Sequence, residues 1–238
     1  MKKIQLILIL AFSSILLMGQ EIEIRELYKN FTQESRYRPF KAIASGFDIS
    51  ALNKIAVLKG SLLNTGKNTL DKLYGSFWIH ANEYGANSFY VDSVWHTSDS
   101  ICAIISIYNL SSAEIEANQK LHPSNMVYIF GNIDKNNGKE RSIRLNNKKT
   151  IIKPFEYIAY QNVVGYEAIV AYGGLTGSKV WIVGKENREP MFLSLQGLNV
   201  GPNANMSNSV GITINTGKIH TVDQDFGLFL IKLLKRKM

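Results

Sequence analysis

Ile4 to Leu17 is an almost unbroken apolar run, interrupted only by Gln5 and the pair Ser13-Ser14, and set between Lys2-Lys3 and the small residue Gly19. A positive start, an apolar stretch and a small-residue exit form the layout of a secretory leader. The run is short for a membrane span, which needs roughly 20 residues. The expectation is a signal peptide over 1–19, cut after Gly19. Those residues then leave the fold, and the remainder works outside the cytosol, in the periplasm or at the cell surface and beyond. A retained membrane anchor is the rival reading. No cysteine lies near the cut, so lipid attachment at an N-terminal cysteine is ruled out.

What remains must be held by its core. Cys102 is the only cysteine, so an intramolecular disulfide is impossible. Its setting, Ile101-Cys102-Ala103-Ile104-Ile105, reads as a buried strand in which the thiol acts as a small hydrophobe. Apolar content of 45 % is enough for a proper core. The formal net charge is +8, or +6 once Lys2 and Lys3 go with the leader. A basic exported chain suits an acidic lipid or glycan surface, and the same excess also serves plain solubility.

The clearest element is a helix over about 69–84. Leu70, Leu73, Tyr74, Phe77, Trp78 and Ala81 recur at the 3.6-residue period. Asn68 or Thr69 caps its start, Asp71 complements the positive end, and Gly85 stands where a left-handed C-cap belongs. Lys54 to Leu58 reads as a strand before it. Ser88–Trp95 and Ile101–Tyr108 read as a hairpin around 97–100. Ser111 and Glu114 have capping-box spacing, which predicts a short helix over about 112–120, ended by Pro123. From Met126 the chain reads as strands at 126–131, 141–146, 149–160, 166–172, 178–184 and 190–196. Asn136-Asn137-Gly138 and Asn146-Asn147 are turn chemistry. Residues 198–209 read as a loop, and 210–214 with 218–222 as a last hairpin. Phe226 to Leu234 is a final apolar element.

No motif brings catalysis. Gly60, Gly66 and Lys67 after a strand approach a phosphate loop, but five residues separate the glycines where the motif has four, and Asn68 follows the lysine. His80, His96, His122 and His220 have no metal-site spacing. Asp134, Asn136 and Gly138 approach a calcium loop with the glycine one position early. No cofactor and no metal is expected.

Two sets of residues are candidates for contact. Phe226, Phe229, Leu230 and Leu233 share one helical face, with Lys232, Lys235, Arg236 and Lys237 as membrane-contact candidates on an anionic surface. The alternative is a last element docked on the core with a frayed basic tail. Phe155, Tyr157 and Tyr160 are glycan-stacking candidates if they form an exposed strip, and core residues if they follow ordinary strand alternation.

Two stretches resemble known families. Residues 54–108 resemble small envelope modules of the outer-membrane stress-sensor lipoprotein kind, through Ala81, Gly85, Ala86 and Asn87 followed by Phe89 and Val91. The family's paired cysteines are absent. Residues 126–196 resemble a bacterial envelope β-domain family of unknown function, through Val127-Tyr128-Ile129-Phe130, Leu145-Asn146-Asn147-Lys148 and Phe155-Glu156-Tyr157. Both resemblances imply the cell envelope, and neither implies a catalytic residue.

The expected fold is α+β, with an N-terminal α/β domain over 20–122 that packs one amphipathic helix on a small sheet. A C-terminal β-rich domain follows over 123–238, sandwich-like or barrel-like, with a basic tail. If 54–58 pairs parallel with 88–95, the helix is the crossover between them. The expected function is non-enzymatic, with an envelope protein or an anionic membrane surface as partner and no nucleic acid. A glycan-binding module, and then an enzyme with a dispersed site, are the alternatives.

Overall fold

The computed structural model describes residues 20–28, 39–63, 69–133, 138–174, 177–196, 199–202, 212–215 and 218–237. The leader at 1–19 lies outside these residues, as do Asn136 and Asn137 of the expected turn. The described chain is α+β and mostly β, with three helices and several sheets.

The first part runs β1 (Gln20–Leu27), β2 (Lys41–Ala42), β3 (Lys54–Leu63), α1 (Leu70–Glu83), β4 (Ser88–His96), β5 (Ser100–Tyr108) and α2 (Ser112–Gln119). Helix α1 follows from its periodicity: Leu70, Leu73, Phe77 and Ala81 are its buried face. Gly85 takes φ 74° just past its end, the left-handed geometry that glycine adopts without a Cβ clash. Thr69 is the N-cap by backbone geometry, without a side-chain bond. At α2 the capping box forms in full, with Ser111 and Glu114 each accepting from the other's backbone N–H.

The first sheet has the order β1-β3-β5-β4-β2. The expected direct pairing of 54–58 with 88–95 does not form. Both β3 and β4 pair antiparallel with β5, which lies between them, and α1 carries the chain across β5. The reason is apolar demand. Ile101, Ala103, Ile105 and Ile107 are buried on one face of β5, and Cys102, Ser106 and Tyr108 on the other. A strand covered on both sides belongs in the middle of the sheet. Gly60 lets α1 approach β3 closely, because a Cβ there would meet the Phe77 ring at 2.5 Å.

The second part runs β6 (Met126–Phe130), β7 (Arg141–Leu145), β8 (Lys148–Ile152), β9 (Glu156–Gln161), β10 (Glu167–Tyr172), β11 (Ser178–Val183), β12 (Met191–Gln196), β13 (Asn199–Pro202), β14 (Ile212–Asn215), β15 (Lys218–Val222), α3 (Gln224–Leu233) and β16 (Lys235–Arg236). Three expectations change here. The stretch 149–160 is two strands in different sheets, split where Pro154 lacks a donor and Phe155 turns to φ 56°. The hairpin expected between 210–214 and 218–222 does not form, since β14 pairs with β13 and β15 with β12. Part of the expected loop at 198–209 is strand β13.

A four-stranded sheet, β11-β10-β7-β8, and a five-stranded sheet, β15-β12-β6-β9-β16, share one apolar cluster that includes Ile143, Ile152, Val170, Ile182, Ile129 and Leu193. The opposite face of the five-stranded sheet carries Tyr128, Phe130, Tyr157 and Phe192, which join α3, α1 and the first sheet in a second cluster. The stretches 20–122 and 123–238 are therefore joined by a common core. Helix α3 makes that join. Asp223 caps it by accepting from the Asp225 and Phe226 N–H groups at 3.0 and 3.1 Å. Phe229 then meets Phe77 and Phe89 edge-on. Gly227 sits over the Phe192 ring, where a Cβ would lie 2.3 Å from Cγ.

Candidate functional site

Strand β2 ends the first sheet, so among the described residues its outer backbone groups have no strand partner. Side chains from remote segments take that place. Asp225 Oδ1 of α3 accepts from Ala42 N–H at 3.0 Å, and Oδ2 pairs with Lys41 Nζ at 2.9 Å. Asn118 of α2 donates to Ala42 C=O and accepts from Ala44 N–H, both at 2.8 Å. His122 Nε2 lies 3.3 Å from the same Ala42 carbonyl, and burial holds its imidazole below the usual histidine range. Nε2 is then the protonated nitrogen, since it faces a carbonyl. Tyr74 donates to Phe40 C=O at 3.2 Å, and burial with Asp225 and Asp223 nearby pushes its phenol up.

Beside this node lies a cleft of about 270 Å³ with walls that include Phe89, Val91, Tyr128 and Leu228, and with Lys232 and Ser45 among its lining. Lys232 Nζ donates to Ser45 Oγ at 2.6 Å. A serine and lysine act as nucleophile and base when the amine is desolvated. Here both residues are exposed, so the pair is a surface hydrogen bond. Asp225, Asn118 and His122 are all engaged with backbone, so the node's chemistry is that of holding β2, α2 and α3 together.

The sequence candidates separate. The apolar face of α3 is docked: Phe229, Leu230 and Leu233 are buried and Phe226 is partly covered by the core. Lys232 stands at the cleft. The basic tail is a strand and not frayed: Lys235 and Arg236 pair with Glu156 and Tyr157, and Lys237 N–H donates to Tyr157 C=O at 2.8 Å. Lys237 Nζ also donates to Ile151 C=O. Arg236 and Lys237 line a second cleft, of about 630 Å³, with Thr150, Ile158 and Ala159. The exposed aromatic strip does not form. Phe155 and Tyr157 are buried in the larger cluster, and Tyr160 packs on the other one, accepting from Asn146 Nδ2 at 3.0 Å.

The surface that sequence reasoning missed is the outer face of the four-stranded sheet. In β11 the buried Ile182 alternates with outward Trp181 and Val183, which are 57 % and 42 % exposed. Val163, Val164 and Tyr166 are also exposed, on the turn before β10 that meets Gly184 just past the end of β11. One row away, Lys179 faces Ala171, Ala171 faces Arg144, and Arg144 faces Lys149. Lys179, Arg144 and Lys149 are exposed, and among the described residues none of the three has an ion-pair partner. They line a groove of about 750 Å³ with Ser142, Ala171 and Gly173. The signal in the sequence was the two-residue alternation at Arg144, Lys149 and Lys179, but only the strand register puts them in one row. No family model, no curated protein and no solved structure matches this chain.

Proposed function

We infer that this chain is an exported bacterial cell-envelope protein that works by contact and without turnover, as a protein-interaction module. In this reading its two facing C-terminal sheets form a β-sandwich whose outer face is the working surface. One observation carries it. Trp181, Val183, Val163, Val164 and Tyr166 are between 42 % and 68 % exposed at one sheet edge. Large apolar side chains left exposed together at one end of a sheet ordinarily mark an interaction site, and an edge strand offers backbone groups to a partner. The apolar leader at 4–17 and the two envelope resemblances support the same location. The membrane-surface version keeps the cations Lys232, Lys235, Arg236 and Lys237, but the apolar face of α3 that it needs is occupied by the core.

The test is a crosslinking pull-down from the native envelope fraction, with wild type beside Trp181→Glu/Val183→Lys. Partners captured by wild type should be missing from the double variant. Identical partner sets would refute the surface assignment. Unprocessed protein found in the cytosol would refute export.

A further inference from the structure

The cationic row is the least explained feature of the molecule. Three positive side chains lie in one row across the strands of one sheet, at the level Lys179–Ala171–Arg144–Lys149. Three strand steps of ~4.8 Å make the row roughly 14 Å long. Like charges directly opposite each other, as Arg144 and Lys149 are, destabilise a sheet. Among the paired residues of these four strands no carboxylate stands in this row: Glu167 faces Val183, two rows away. The floor between Lys179 and Arg144 is Ala171, so the row borders a trough and not a ridge. At the end of the trough the glycines keep the chain close. A Cβ at Gly177 would sit 2.2 Å from the Tyr172 carbonyl oxygen.

The geometry points to an extended acidic segment of the protein partner as the occupant of this groove, laid across the strands with its carboxylates on Lys179, Arg144 and Lys149. The assignment rests on the contact reading above and names that partner's chemistry. Charge complementarity sets the sign of the ligand. The neighbouring row sets its class. Trp181 faces Ile169 across the strand pair and is followed on its own face by Val183. Branched apolar neighbours cannot hydrogen-bond sugar hydroxyls, but they seat an apolar side chain of a peptide. A single-stranded nucleic acid uses successive aromatic platforms along its track, and the row Lys179–Ala171–Arg144–Lys149 holds no aromatic residue. A flat bilayer does not enter a trough.

The probe is a fluorescein-labelled decapeptide of alternating Glu and Val, read by fluorescence anisotropy against the full chain at two salt concentrations. Arg144→Glu/Lys149→Glu/Lys179→Glu is compared with a charge-matched control, Lys59→Glu/Lys72→Glu/Lys120→Glu. The expected result is salt-sensitive binding that the groove variant weakens about tenfold or more, as three lost surface ion pairs imply, with the control within about twofold of wild type. The corresponding triple Gln variant, which adds no repulsion, should fall between. Equal loss in both Glu variants would mean a response to net charge and would overturn the proposal. No binding of the peptide, or groove-dependent binding of heparin or of single-stranded DNA in its place, would also overturn it. In the envelope pull-down, partners lost with Trp181→Glu/Val183→Lys but kept by the groove variant sink this inference alone. Partners kept by both sink the contact reading as well.

Discussion

Gly227 and Gly75 are both helical glycines, and replacing each by alanine should move stability in opposite directions. Exchanging glycine for alanine inside a helix gains about 0.8–1 kcal/mol, since glycine loses more backbone freedom on folding. In α1, an added Cβ at Gly75 meets nothing within 4 Å. Gly75→Ala should therefore keep the whole gain. In α3, a Cβ at Gly227 would lie 2.3, 2.5 and 2.8 Å from Cγ, Cδ1 and Cδ2 of Phe192. The ring has little room to yield. It is parallel to Tyr128 with centroids 5.0 Å apart, and parallel to Phe130 at 6.3 Å. The helix must lift, and overpacking of this kind costs typically about 1–3 kcal/mol, occasionally more. Three atoms inside 3 Å put this case at the upper end, so the net loss should be about 2 kcal/mol. For a chain of this size that is about 4–8 °C in Tm, with Gly75→Ala raising Tm by about 2–4 °C. Thermal and urea melts of both variants decide it. A Gly227→Ala protein as stable as wild type would show that α3 does not rest on Phe192, and the join between the two halves of the core would have to be redrawn.

Other outcomes follow from the same packing. Phe77→Asp should abolish folding, because losing a buried Phe costs about 3–5 kcal/mol before the unpaired charge is added, against a total stability of about 5–15; a soluble, cooperatively melting variant would contradict the burial of that helix face. Asn118→Ala strips a buried Ala44 N–H of its acceptor and should cost about 1–3 kcal/mol by urea denaturation; a change under a few tenths would mean that water replaces the amide. His122 is held below its unfolded value of about 6.5, so the native state binds fewer protons than the unfolded chain, and stability falls as pH drops through that value towards the lower folded one. His122→Gln keeps a donor for Ala42 C=O but does not titrate, so its stability should fall less steeply between pH 7 and 5; an unchanged slope would assign the pH dependence to other groups.

The elements that were legible are those whose information is local. Residues 69–84 carry a full apolar stripe and a terminal glycine, and α1 occupies 70–83. Ser111 and Glu114 form their box within one turn. The hairpin at 88–108 needs only its turn and two apolar runs. Most of the misses are non-local. Periodicity marks 54–63 and 88–96 as strands but does not say that β5 lies between them. The alternation of 149–160 hides a break at Pro154-Phe155 that sends β8 and β9 to different sheets. The apolar stripe at 226–233 has the same look whether it meets lipid or Phe77, Phe89 and Phe192. Asp225, Asn118 and His122 are far apart in sequence, and only folding brings them to Ala42.

The amino-acid sequence by itself determined most of the helix and strand segments, the impossibility of an intramolecular disulfide and the positive balance, because each depends on composition or on neighbours within a turn. The tertiary structure alone decided which strands became edges, which aromatic rings were buried, and that Lys179, Arg144 and Lys149 stand in one row. Register is set by the sum of many weak contacts between distant segments, and no single stretch of chain holds that sum.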